Sequence, residues 1–250
     1  MRLVRFLAQG RTAYGILNND ETAELDGEGY ASLSSIRARH RTADVILLAP
    51  CVPTKIVAVG LNYRDHAGEL GMKVPESPIL FLKPPTSVIG PGETIVRPAM
   101  SSRIEYEAEL GIVIRDRVSR IPPEESRGHI LGYTCANDVT ARDLQQKDVQ
   151  WTRAKSFDTF CPVGPWIQTD LDPDDLLVES YVNGERRQSS RTSQFIFGVD
   201  LLVSFISQVM TLEPGDLIIT GTPAGIGPMQ AGDEVEVRIE GIGCLKNVVR

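Results

Sequence analysis

The chain has 250 residues, 42% of them apolar and 24% charged, a globular mix that argues against disorder and is long enough to bury a sizeable core. Its formal net charge of -7 and isoelectric point near 5.1 make nucleic-acid phosphate a poor partner. No run approaches the ~20 apolar residues of a membrane span, and MRLVRFLAQGRTAYG lacks a secretory apolar core, so the expected setting is cytoplasmic, away from membranes.

Taken in chain order, Leu3–Leu7 and Thr12–Leu17 are rich in branched and aromatic residues and flank Gln9-Gly10, which predicts a strand pair. A polar stretch follows, with a short helix around Ser32–Arg39, closing at Leu47-Leu48-Ala49-Pro50. From Lys55 the texture changes to buried strand followed by glycine, Ile56-Val57-Ala58-Val59-Gly60. A boundary near residue 50 is therefore expected, separating a small β-rich N-terminal segment (1–50) from the main domain (51–250). There, Asn62–Leu70 reads as a short helix and Ile79–Leu82 as a strand. Pro84-Pro85 and Gly90-Pro91-Gly92 then enforce loops. Glu105–Ile114 reads as one long strand, and Leu131–Ala136 as another that runs into a helix over Thr140–Lys147. Asn183-Gly184, between Leu177–Val182 and Glu185–Arg187, suits a type I′ hairpin turn. Val199–Met210 is the clearest helix, with Leu202, Phe205, Ile206 and Val209 on one side and Ser204, Ser207 and Gln208 on the other. Strands over Leu217–Thr220, Glu234–Ile239 and Cys244–Val249 complete the chain. Many strands, few helices and no regular βαβ alternation predict a β-dominated α+β fold. Cys51, Cys135, Cys161 and Cys244 are too scattered for a zinc knuckle or redox pair and read as free thiols.

Five constellations carry chemistry. Side chains alternate across a strand, so Glu105, Glu107 and Glu109 share one face. Like charges that close repel, and a hard divalent cation would relieve them; a salt-bridged strand face is the plainer reading. Asp138 falls where a strand ends and a helix begins, as ligand or as N-cap, with Arg142 and Gln145 following at helical spacing. His66 and Glu69 lie i, i+3, close enough for the carboxylate to orient an imidazole that acts as general base, although a surface pair would look the same. Lys155 and Lys83 each precede a loop, where either could hold a substrate carboxylate or developing negative charge. The loop Thr220–Pro228 is glycine-rich but lacks the Gly-Lys-Ser/Thr ending of a phosphate loop; Thr222 and its amides suit a carboxylate or a plain turn.

Together and in this order, GLNYRDHAGE, FLKPPTSVIGPG, EYEAELGIVI, NDVTARDLQ, RAKSFDTFCPVGPW, YVNGE, TSQFIFGVDLL and EPGDLIITGTPAGIGPM resemble the fumarylacetoacetate hydrolase family over roughly residues 51–250. The resemblance implies a mixed β-sandwich roll, usually dimeric, with Mg²⁺ or Mn²⁺ (Ca²⁺ in some crystals) held by Glu107, Glu109 and Asp138, and Glu105 outside the ligand set. It implies that His66 with Glu69 acts on water or substrate, that Lys155 holds developing negative charge, and that Arg142, Gln145, Thr222 and Lys83 contact the substrate. The larger family members that cleave fumarylacetoacetate have longer N-terminal and C-terminal sequence; this chain looks like the small members instead. The activity implied is C–C bond hydrolysis of an acylpyruvate-like diketo acid through its enolate. The alternatives are decarboxylation or tautomerisation of oxaloacetate, isomerisation or decarboxylation of a hydroxymuconate-type diacid, and a non-catalytic binding protein that kept the fold.

Overall fold

The computed structural model describes residues 1–27, 29, 30, 33, 35–69 and 71–250. It is strand-dominated, as the patterning predicts. The main sheet runs Ile36–Arg41, Glu21–Leu25, Arg11–Asn18, Arg2–Ala8, Cys161–Gln168, Ile130–Asn137, Ala108–Ile114, Leu217–Ile219, Ile56–Gly60, Ile79–Lys83, with Ile46–Leu48 and Val88–Ile89 paired alongside. A second sheet of five strands runs Glu185–Arg191, Leu177–Val182, Glu234–Ile239, Gly243–Val249, Thr94–Ile95, and a third joins Thr140–Ala141, Ile104–Tyr106 and Gly227–Met229.

Two apolar layers explain why the central strands are buried along their whole length. Leu110, Ile112 and Ile114 face Val178, Val237 and Leu245 of the second sheet and Leu202, Val203 and Ile206 of the helix Val199–Val209. On the opposite face Val113 packs with Ile56, Ala58, Val163, Ile167 and Leu217. A strand covered on both faces reads as a continuous apolar run, which is the sequence signature of Ala108–Ile114. The strand Arg2–Ala8 joins the same sheet, pairing Leu3 with Ile167.

Asn183 (φ 52°) and Gly184 (φ 79°) both take left-handed backbone, as a type I′ turn demands. The second hairpin strand is longer than expected, ending at Arg191.

Four local expectations are corrected. Ile36–Arg41 is a strand paired with Glu21–Leu25, not part of a helix, because Glu24 of the partner strand binds His40 and Arg11; Ser32 and Ser34 lie outside the described residues, as does Leu70 at the end of the helix Arg64–Glu69. Thr140 and Ala141 continue as strand, and the helix starts only at Arg142. On Val199–Val209, Ser204 and Ser207 are buried while Val209 is 59% exposed. The serines face inward because Ser204 Oγ donates to Ile121 O and Ser207 Oγ accepts from Ile121 N, anchoring an adjoining loop that the pattern of apolar residues does not reveal. Finally, Glu105–Ile114 is not one strand. It breaks at Glu107, leaving Ile104–Tyr106 and Ala108–Ile114 in different sheets.

Where the parallel strands Ile56–Gly60 and Leu217–Ile219 begin, the buried Asp216 carboxylate accepts from Thr54 N, Thr54 Oγ1, Lys55 N, Lys55 Nζ and Glu213 N. Removing it strands these donors at the entrance to the central sheet. Asp216→Ala is expected to lower the unfolding free energy by about 3 kcal/mol, read by urea denaturation; a loss under about 0.5 kcal/mol would show that water replaces the carboxylate freely.

Candidate active site: three carboxylates and their cations

The strand break creates the site. Glu107 N donates to Asn137 Oδ1 (3.0 Å) and Asp138 N to Glu107 O (2.9 Å), so both neighbouring strands leave regular pairing at the same level. Because Ala108 pairs with Asn137, Glu107 comes opposite Asp138. Glu109, two residues on, points to the same side, as alternation requires. Ligand oxygens of Glu107, Glu109 and Asp138 lie within 4.8 Å of one another, and all three residues are buried.

Burial of three carboxylates is costly unless positive charge meets them. Lys155 Nζ donates to Glu107 (2.7 Å) and Asp138 (2.6 Å). Lys83 Nζ donates to the other Asp138 oxygen (2.5 Å). Arg142 binds Glu107 (2.5 Å), Glu105 (2.7 Å) and the Gln145 amide oxygen. The consequences separate the acids. Burial opposes ionisation of Glu107, but Lys155 and Arg142 outweigh it and draw its pKa down to about 2. Glu109 receives only the Gly221 amide (2.7 Å) among the described residues. Burial, then the negative charge of Asp138 and Glu107, push its carboxyl well above the usual range. This under-compensated acid is where a divalent cation fits, and an all-oxygen donor set suits Mg²⁺ or Mn²⁺.

The triad opens on a cavity of about 230 Å³ also lined by His66, Arg142, Gln145, Lys155 and Thr222. His66 Nδ1 lies 3.0 Å from Glu69 Oε2, and Glu69 Oε1 accepts from Gly225 N (3.1 Å), so the short helix Arg64–Glu69 is tied to the glycine-rich loop. Thr222 Oγ1 donates to Ala108 O (3.0 Å) and accepts from Gln188 Nε2 (2.8 Å). One expected contact sits elsewhere, and Glu105 lies where the family resemblance puts it. Lys83 is 1% exposed and lies beneath Asp138 instead of on the cavity wall. Glu105 stays outside the triad, held by Arg103 and Arg142.

Sequence reading missed Gln188. Its Oε1 accepts from Ala108 N (3.0 Å), while Nε2 also donates to Pro223 O (2.8 Å). One buried amide thus bridges the Glu107–Glu109 strand and the Thr222 loop. Nothing distinguishes it in sequence from its polar neighbours on the hairpin. Gly221, at φ 94°, has no room for a Cβ, which would lie 2.8 Å from Asn62 Cβ; that brings its amide to Glu109.

Residues 55–250 match the family model described as fumarylacetoacetate (FAA) hydrolase, C-terminal, and residues 1–50 match one described as Rv2993c-like, N-terminal. The chain is 45% identical to a solved 5-carboxymethyl-2-hydroxymuconate delta-isomerase from Mycobacterium smegmatis, covering 100% of this chain and 99% of that one, with a TM-score of 0.93. A 2-hydroxyhepta-2,4-diene-1,7-dioate isomerase from Mycobacterium marinum is 44% identical, covering 100% and 98%, with a TM-score of 0.91. A mitochondrial oxaloacetate tautomerase of Bos taurus is 40% identical over 242 residues, 89% of this chain and 77% of the relative. No helix among the described residues is long and apolar enough to cross a membrane.

Two outcomes follow from the charge arrangement. A raised Glu109 pKa means that the metal-free fold holds a proton the unfolded chain has lost. Metal-free stability therefore falls as pH rises from the unfolded carboxyl value towards the folded one. Cation binding must displace that proton, so the rise in melting temperature on adding Mg²⁺ or Mn²⁺ is expected to grow with pH and to vanish in Glu109→Gln. A pH-independent rise, or one kept in Glu109→Gln, would place the cation elsewhere. Lys83→Met, which removes a buried positive charge from Asp138 and leaves the acids less compensated, is expected to strengthen cation affinity about tenfold in calorimetric titration; unchanged affinity would leave Lys83 a packing residue only.

Proposed function

The chain belongs to the fumarylacetoacetate hydrolase family, and from that premise we propose that it is a divalent-metal-dependent hydrolase that cleaves a C–C bond in a small acylpyruvate-like diketo acid. The observation that carries this reading is that the acidic triad and His66, itself paired with Glu69, line one cavity. When bound between Glu107, Glu109 and Asp138, the ion supplies a Lewis acid for the carboxylate and adjacent keto oxygen of the substrate.

The remaining work falls to side chains. Glu69, fixed by Gly225 N, holds His66 through Nδ1 and leaves Nε2 to take a proton from water. That water adds to the carbonyl distal to the carboxylate, the C–C bond breaks, and the electron pair passes to the 2-keto fragment as its enolate. Lys155, 2% exposed at the cavity wall, places a fixed ammonium where this negative charge develops. Burial alone would discharge it, but Asp138 and Glu107 hold its pKa above the ordinary lysine value, so it stays protonated. Arg142 and Gln145, which line the same cavity and bond each other, would receive the substrate carboxylate. Protonation of the enolate carbon then yields two acids.

A second reading, keto–enol tautomerisation or isomerisation of a 2-hydroxydiene-dioate, is favoured by the activities for which the similar proteins are named. The same His66–Glu69 pair would then carry a proton between substrate atoms, with no water consumed. Decarboxylation of oxaloacetate is the third outcome that the site's chemistry accommodates.

Incubation of the Mg²⁺-loaded protein with acylpyruvates, oxaloacetate and hydroxymuconates separates the reactions. Two acid products are expected. A displaced ultraviolet band without new acids would move the reading to isomerisation, released CO₂ to decarboxylation, and no turnover of any would remove it. His66→Ala is expected to lower kcat about 10²–10⁴-fold with its circular dichroism unchanged; an unaltered kcat would take His66 out of the chemistry.

A further inference from the structure

The cavity has two chemically distinct sides. One carries the acids and cations described above, Glu107, Glu109, Asp138, Arg142 and Lys155, together with His66. The other is formed by Leu61, Met72, Ile79, Phe81 and Trp151, five residues without a charge. Ile79 and Phe81 stand on one face of the paired strands Ile56–Gly60 and Ile79–Lys83, with Gly60 opposite Ile79 and Ala58 opposite Phe81.

Trp151 closes that side in a defined place. A Cβ at residue 60 would lie 2.6 Å from its Cζ3 and 2.9 Å from its Cη2, so the indole occupies the space that glycine leaves open. Its ring meets Phe81 edge-on at 5.4 Å, and Phe81 lies 5.1 Å from Lys155 Nζ, which marks the border between the two sides. Trp151 O also accepts from Lys155 N (3.0 Å). One helical turn therefore fixes the buried cation and the indole relative to each other.

We propose that Trp151, seated on Gly60, is a specificity-determining residue, and that the substrate is a 2-keto or 2-enol acid whose tail beyond the reacting carbons is uncharged and apolar. The inference rests on the keto-acid reading of the site. With its carboxylate and keto oxygen at the acidic triad, a substrate extends across Phe81 towards Trp151, Ile79 and Met72. A tail ending in carboxylate meets no cation among those five residues, and where it lies against Phe81 and the indole it gives up hydration without a partner. An alkyl or aryl tail gains contact with the indole. This distinguishes the chain's preference from the dioate for which one similar structure is named.

Binding tests it without requiring turnover. The chain has two tryptophans, so Trp166→Phe leaves Trp151 as the only indole. Its fluorescence is followed as the Mg²⁺-loaded protein is titrated with oxalate, which has no tail, with 2-oxoheptanoate, and with 2-oxoheptanedioate, the same chain ending in a second carboxylate. The monoacid is expected to quench Trp151 and to bind about tenfold tighter than the diacid. In Trp151→Ala, measured by calorimetry, that ratio falls to within about twofold. Gly60→Ala, which drives the indole from its seat while keeping the ring, reduces the ratio as well and guards against a Trp151→Ala variant that fails to fold. Oxalate binding with equal affinity for the two longer acids, or with a ratio unchanged in both variants, overturns this inference alone. Failure of oxalate itself to bind overturns the keto-acid reading, and this inference with it.

Discussion

Asp138 is held between two buried ammonium groups, Lys83 on one oxygen and Lys155 on the other, and most of the site's architecture serves that arrangement. In a poorly polarisable interior, charges at these distances interact far more strongly than in water, so the placement of each cation decides which acid stays ionised. Lys83 ends the edge strand Ile79–Lys83, Lys155 ends a short helix, and Arg142 starts another. Three separate elements deliver positive charge to one point. Glu109 is the acid that they leave under-compensated, and this imbalance gives the cluster its capacity for a divalent cation, where a fully neutralised cluster would be a structural salt-bridge network.

The irregular backbone lies where that chemistry needs it. A strand continuing unbroken through Glu107 would keep Ile104–Tyr106 in the main sheet and would leave no level at which Glu107 and Asp138 face each other outside regular pairing. The break frees backbone groups, and side chains take up their hydrogen bonds: Asn137 accepts from Glu107 N, and Gln188 accepts from Ala108 N. Gln188 extends the repair to the Thr222 loop, and Glu69 joins that loop to His66. The His66–Glu69 pair and the acidic triad are thereby parts of one hydrogen-bonded frame. Their separation is set by packed backbone and not by flexible side chains, as a preorganised site requires.

Residues differ in how far their surroundings could be read from the chain. The hairpin at Asn183-Gly184 was legible because its chemistry is local: two left-handed residues in succession restrict the choice to glycine and asparagine-like side chains. Glu107 and Glu109 were legible as a same-face pair for the same reason. Ser204 and Ser207 were placed on the side of the helix opposite its apolar residues, since only contact with Ile121, more than eighty positions away in the chain, makes burial of a hydroxyl favourable. Lys83 was read as a substrate contact because a lysine before a loop looks alike whether it faces a cavity or a buried aspartate.

By itself the sequence determined the strand-rich class, the turns, the family resemblance and the residue types able to hold a hard cation, because propensity, alternation and short motifs act within a few residues. Tertiary structure alone decided that the Glu105–Ile114 run breaks at Glu107, that Lys83 supports Asp138 from below, that Gln188 bridges two parts of the site, and that Trp151 rests on Gly60. Each of these depends on strand register and on close approach between segments far apart in the chain, and short-range patterns do not encode either one.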